Sequence, residues 1–95
     1  MKVISRKIID DFCKKHVDVK KQLSLWLNEA LESEWKTPGD IKKKYSSATF
    51  LSNNIVWFNI KGKKYRLKTI VAYQTQTVFI EWIGTHAEYN KLKHK

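Results

Sequence analysis

The stretch Ile55-Val56-Trp57-Phe58-Asn59-Ile60-Lys61-Gly62-Lys63-Lys64-Tyr65-Arg66-Leu67-Lys68-Thr69-Ile70-Val71-Ala72-Tyr73 decides how this chain folds. Two runs rich in β-branched and aromatic residues flank a basic turn, and apolar and polar side chains alternate through both. Gly62 at the first central position suits a type II′ two-residue hairpin loop in which Lys61 pairs with Lys64. Counting outward, Ile60 faces Tyr65, Asn59 faces Arg66, Phe58 faces Leu67, Trp57 faces Lys68 and Val56 faces Thr69. Directly opposed side chains share a face. Val56, Phe58, Ile60, Tyr65, Leu67, Val71 and Tyr73 therefore make an apolar side, while Trp57, Asn59, Lys61, Lys64, Arg66 and Lys68 share the other. The first side needs a cover and the second is cationic.

Toward the C-terminus, a second hairpin closing at Thr75-Gln76 pairs Tyr73 with Val78. That register sends Val78, Ile80 and Trp82 to the core and puts Glu81 and Ile83 on the basic side, with His86 where the strand gives out. A bulge would invert part of this assignment, because one residue of slip exchanges the faces. Phe50-Leu51 reads as an edge strand, Ser52-Asn53-Asn54 as a turn, and residues 88–93 as a short helix. Toward the N-terminus the period becomes helical. Ser5 is positioned to cap a first helix carrying Ile8, Ile9, Phe12 and Cys13, and Asp18 a second whose stripe is Val19, Leu23, Trp26, Leu27, Ala30, Leu31 and Trp35. Thr37-Pro38 reads as a cap and first helical position, with one more turn over residues 41–45. Helices followed by a meander predict an α+β fold: two N-terminal helices on one face of an antiparallel sheet of three to four strands, closed by a short C-terminal helix.

The chain has 95 residues and a formal net charge of +10, from 19 Lys and Arg against 9 Asp and Glu, which allows one domain over residues 1–95 with one modest core. Cys13 is the sole cysteine, which excludes an internal disulfide and multi-cysteine zinc modules. Charge interrupts the first residues, and no apolar run approaches the roughly 18 residues needed to span a bilayer, so the expected location is cytoplasmic with no membrane partner. Excess positive charge points to a polyanion. Clustering like charges on one sheet face costs stability unless an anion is expected there, so a phosphate site is favoured over a merely solvated surface.

The segments Phe58-Asn59-Ile60-Lys61-Gly62-Lys63-Lys64-Tyr65-Arg66-Leu67 and Val78-Phe79-Ile80-Glu81-Trp82-Ile83-Gly84-Thr85-His86-Ala87-Glu88-Tyr89-Asn90 resemble the HigB family of bacterial toxins, within the RelE-like endoribonucleases. The resemblance extends from Ile4-Ser5-Arg6 through Thr37-Pro38 to the end. It implies a small helix-backed sheet and cleavage of messenger RNA on the translating ribosome. It also implies neutralisation by a HigA-like antitoxin bearing a helix-turn-helix domain, so that DNA is met only through that partner. Carried to matching positions, it marks Arg66 and His86 as catalytic, with Lys61 and Tyr89 beside them, and Asn59, Lys64, Lys68 and Trp57 as RNA contacts.

Such a ribonuclease would use the substrate's 2′-hydroxyl as nucleophile, with no metal and no cofactor. Something must accept the 2′ proton, stabilise the phosphorane and protonate the departing 5′-oxygen. Arg66 suits the second role, its guanidinium presenting a planar fork to two phosphate oxygens, and Lys61 adds charge. His86 suits acid–base work because imidazole titrates near neutrality; acid and base stay open, with general acid favoured. The bland alternatives are a turn histidine, a Tyr89 that merely packs the last helix, and a Trp57 that covers the sheet rim rather than stacking a base. His16 and His94 read as surface residues, Cys13 as packing, and Glu88 as either an orienter of His86 or a helix cap. Two rival functions stand beside the enzyme: a non-catalytic RNA-binding module, and a structural protein that docks on ribosome or corepressor.

Overall fold

The computed structural model describes residues 1–92 of the chain. Its elements are β1 (Lys2–Ile4), α1 (Lys7–Lys15), a 3₁₀ turn (Val17–Val19), α2 (Lys20–Glu32), α3 (Pro38–Lys44), β2 (Thr49–Phe50), β3 (Ile55–Ile60), β4 (Tyr65–Ala72), β5 (Thr77–Thr85) and α4 (His86–Asn90). The strands form one sheet in the order β1-β5-β4-β3-β2. The class is α+β as expected, but the described sheet has five strands and is mixed, because β1 runs parallel to β5 with Val3 opposite Val78. β1 is too short to show an alternation of its own; only the partner strand identifies it. Among the described residues no helix is long and apolar enough to cross a membrane. Lys93, the expected end of the last helix, and His94 lie outside the described residues, and α4 begins at His86 rather than at Glu88.

The core forms where the helical stripe meets the apolar sheet face. Val19, Leu23, Trp26 and Ala30, spaced four, three and four apart, are buried, whereas Leu31 at the edge of the predicted stripe is exposed. Phe58 is the hub: Trp26 and Tyr45 approach it edge-on at 5.3 and 5.2 Å and Trp35 stacks at 6.2 Å. Thr37 caps α3 with Pro38 at its first position, and Asp40 completes a capping box, accepting from the Thr37 backbone N–H at 3.2 Å. Two expected caps are absent. Ser5 has φ 69° and only its carbonyl serves α1, accepting from the Ile8 N–H at 3.1 Å, and Asp18 caps nothing because its carboxylate is engaged across the molecule.

The β3–β4 register is the predicted one, from Ile60 opposite Tyr65 to Val56 opposite Thr69. The connection differs: Lys61 as well as Gly62 adopts positive φ, at 55° and 68°, so the loop is four residues long and the alternation of faces stops at Ile60. β4 meets β5 with Ala72 opposite Thr77 and Val71 opposite Val78, in place of Tyr73 opposite Val78. Parity is unchanged there, so Val78 and Ile80 are core as predicted. A bulge then intervenes. Thr69 pairs with Ile80 but Lys68 pairs with Trp82, leaving Glu81 exposed as the extra residue. Beyond it the faces exchange: Trp82 leaves the core for the helix-free face and Ile83 enters the core opposite Leu67, the reverse of the unbulged expectation.

Candidate active site

The bulge and the hairpin together build an aromatic floor on the helix-free face. Trp57 of β3, Trp82 of β5 and Tyr89 of α4 converge there, with Trp57 edge-on to Trp82 at 5.8 Å and to Tyr89 at 4.9 Å. Gly84 makes this possible. A Cβ at that position would stand 2.4 Å from the Trp82 ring, so the indole lies directly over the glycine backbone. Trp57 is only 1% exposed and is part of this floor, which removes it from the positions able to stack a base at the surface.

Arg66 sits in the middle, between Asn59 on β3 and Gly84 on β5. Its guanidinium carbon lies 4.2 Å from the centre of the Tyr89 ring and 5.7 Å from that of Trp57, and Lys68 Nζ lies 5.9 Å from Trp57. Stacked contacts of this kind hold a guanidinium flat without engaging its N–H groups. Arg66 Nε is buried with no hydrogen-bond partner among the described residues. A buried donor left unpaired costs about 1–3 kcal/mol, which an incoming anion can recover.

His86 is the first residue of α4, exposed, its ring 6.1 Å from that of Tyr89. Two devices hold it beside the sheet. Thr85 caps the helix, its hydroxyl accepting from the Glu88 N–H at 3.1 Å while Glu88 Oε1 accepts from the Thr85 N–H at 2.8 Å. Those bonds hold the Glu88 carboxyl below its ordinary range, the Thr85 backbone N–H foremost, and fix its role as a cap. The His86 N–H in turn donates to the Lys64 carbonyl at 3.0 Å, tying α4 to the start of β4. Arg66, Tyr89 and His86 thus lie in sequence across one surface, with Lys68 alongside.

Lys61 and Lys64 do not join them. Both donate to Asp18 Oδ2, at 3.1 and 2.9 Å, and the Tyr65 hydroxyl donates to Asp18 Oδ1 at 2.8 Å. Tyr65 belongs to the helix-covered face, so Asp18 draws the hairpin lysines to the helix side of the sheet's end, a placement that strict alternation could not have found. Hydrogen bonds from Lys64, Tyr65 and Lys61 hold the Asp18 carboxyl far below its ordinary range, and the same carboxylate raises Lys64. Asn59 is on the site face by register; its Nδ2 donates to the Ser47 carbonyl at 3.4 Å, and its Oδ1 is buried without a partner among the described residues. His16, expected at the surface, stacks on Phe12 at 4.3 Å and meets Tyr65 edge-on at 5.7 Å. Gly84 and Trp82 are the site residues that sequence reasoning missed, and the Trp-Ile-Gly spacing that places an aromatic two residues before a glycine was the available signal.

A family model described as HigB_toxin, the RelE-like toxic component of a toxin-antitoxin system, matches residues 19–92. Among curated proteins, the chain is 27% identical over 93 residues to the mRNA interferase toxin HigB of Escherichia coli K12, covering 95% of this chain and 88% of that protein. The mRNA interferases HigB of Escherichia coli O157:H7 and of Shigella flexneri match at the same 27% and the same coverage.

Proposed function

Because the chain belongs to the HigB family of RelE-like toxins, we propose that it is the toxin of a type II toxin-antitoxin pair and an endoribonuclease that cleaves messenger RNA on the translating ribosome. The single observation that carries the catalytic part is Arg66. It is a guanidinium stacked on Tyr89 at 4.2 Å, with a buried unpaired Nε, on a sheet face free of helices and next to the exposed His86.

In this reading the substrate's 2′-hydroxyl gives its proton to a solvent water and attacks the adjacent phosphorus, and the bond to the 5′-oxygen breaks to leave a 2′,3′-cyclic phosphate and a 5′-hydroxyl. Arg66 pairs with the phosphorane oxygens and Lys68 adds charge. His86 gives the proton that the departing 5′-oxygen needs. Tyr89 keeps the guanidinium flat and turns its hydroxyl to the phosphate. Lys61 and Lys64, held by Asp18, act as phosphate contacts at the rim of the site rather than on the reacting group, and Asn59 orients the strand. The domain works in the cytoplasm, over its whole 95 residues, and is neutralised by a HigA-like helix-turn-helix antitoxin through which it meets DNA.

Cleavage of a reporter messenger RNA by purified protein, with and without translating ribosomes, tests the reading. Arg66→Ala and His86→Ala should each lower the single-turnover rate about 10²–10³-fold, the usual effect of removing one transition-state donor, with only a modest loss of RNA affinity. Loss of affinity alone would make the protein a binding module, and equal cutting of naked and ribosome-bound RNA would remove the ribosome from the proposal.

A further inference from the structure

A cleft of about 390 Å³ between α2, α3 and the far end of β3 touches none of the reacting groups in the chemistry proposed above, although Asn59 and Lys61 of its lining have rim roles there. Leu25, Trp26, Tyr45 and Ile60 supply its apolar lining and Gln22 and Asn59 its neutral polar lining. Four buried side-chain polar atoms lack a hydrogen-bond partner among the described residues, and three belong to residues of this one cleft: Gln22 Oε1, Trp26 Nε1 and Asn59 Oδ1. Buried polar groups are ordinarily paired, so their concentration here is informative. Gln22 and Trp26 stand four residues apart on α2 and thus on one face, offering an acceptor and a donor one turn apart. Glu29 adds a carboxylate, and burial together with Glu29 pushes the Tyr45 hydroxyl up to about 12, so that it stays neutral. Lys44 and Lys61 complete the lining, each fixed by a carboxylate, Glu29 at 3.4 Å and Asp18 at 3.1 Å. Asn59 is shared: it lines the cleft and is the cross-strand partner of Arg66.

We propose that this cleft is a base-binding subsite that takes one amino-bearing nucleobase (adenine, cytosine or guanine) of an RNA strand whose reacting phosphate lies at Arg66; the inference rests on the ribonuclease reading. A flat base fills a slot with aromatic and aliphatic walls, and single-stranded bases are recognised in proteins by such stacking together with hydrogen bonds to their edges. Of the three unpartnered atoms two accept and one donates, which matches an exocyclic amino group beside a ring nitrogen and disfavours uracil, whose edge offers a single donor. The indole N–H and the amide oxygen are screened from solvent, so entry of a base turns the half-buried Gln22 side chain.

Titration of the isotope-labelled protein with each of the four ribonucleoside 5′-monophosphates, read at the indole N–H resonances, tests this. One of the four tryptophan signals, identified by its disappearance in Trp26→Phe, should shift saturably with the adenosine, cytidine and guanosine nucleotides and bind the uridine nucleotide more weakly. Gln22→Leu, at a position less critical to folding than Trp26, should weaken binding about tenfold, the effect of one hydrogen bond. Arg66→Ala should leave the shift in place. An unmoved Trp26 signal, unaltered affinity in Gln22→Leu, or equal affinity for all four nucleotides would overturn the subsite. If messenger RNA is cleaved while Trp26 stays silent, only the subsite fails. If Trp26 responds but no RNA is cleaved, the ribonuclease reading fails and base binding stands.

Discussion

Gly84 supports the site through the side chain it lacks. Its backbone is the seat of the Trp82 ring, and that ring abuts Trp57, over which Arg66 is held. Adding one methyl group, in Gly84→Ala, puts a carbon 2.4 Å from the indole and forces the ring away. Overpacking of this kind costs about 1–3 kcal/mol. Thermal unfolding should show that loss, accompanied by altered tryptophan fluorescence and lowered cleavage, whereas a stability unchanged from the parent would show that Trp82 has another place to go. Arg66 and His86 were marked in the sequence by the family resemblance, and their side-chain chemistry fitted the choice; the structure brings both to one surface beside Tyr89. Trp82 was misassigned because its face depends on a register break that alternation does not encode.

At the scale of elements, the β3–β4 hairpin and the β5 bulge are the two devices that orient the site. Asp18 clasps the hairpin with bonds from Lys61, Lys64 and Tyr65. Its carboxyl titrates below the ordinary value of 3.8. The native state therefore binds this proton less readily than the unfolded chain, and the clasp stabilises fully above pH 3.8 and is lost progressively as the pH falls from there toward the native value. Urea unfolding at pH 6 and at pH 3 should show a smaller drop in midpoint for Asp18→Asn than for the parent; equal drops would mean that the clasp contributes nothing. Deleting Glu81 tests the other device. With the extra residue gone, Trp82 follows Ile80 directly, and plain alternation keeps Ile80 in the core, Trp82 on the helix-free face and Ile83 in the core. The deletion variant, like Glu81→Ala, should therefore still fold and keep its tryptophan fluorescence, whereas inserting one further residue after Glu81 should invert Trp82 and Ile83 and cost both stability and cleavage. A deletion variant that fails to fold would show that the bulge is needed for more than the exchange of faces. The β3–β4 pairing was legible to the residue because both faces alternate cleanly; the loop was not, since a left-handed Lys61 has no signature in its identity.

For the molecule as a whole, the net charge of +10 sets how it meets RNA. Each lysine or arginine brought to a phosphate releases counterions, so affinity for single-stranded RNA should fall with rising salt at a slope of about 0.7 per contact on a log–log plot. Arg66→Ala should reduce that slope by roughly one contact while Lys7→Ala, on the outer side of α1 and paired with Asp11 at 2.9 Å, should leave it unchanged. The α+β layering was legible from the change of period along the chain, but the parallel strand was not, because three residues carry no pattern. That short strand has a temporal meaning. Val3 finds Val78 only after the intervening 74 residues have been made, and Arg66 acquires its Tyr89 cover later still. A growing polypeptide therefore cannot assemble Arg66 beneath its aromatic cover until nearly the whole of it has been synthesised.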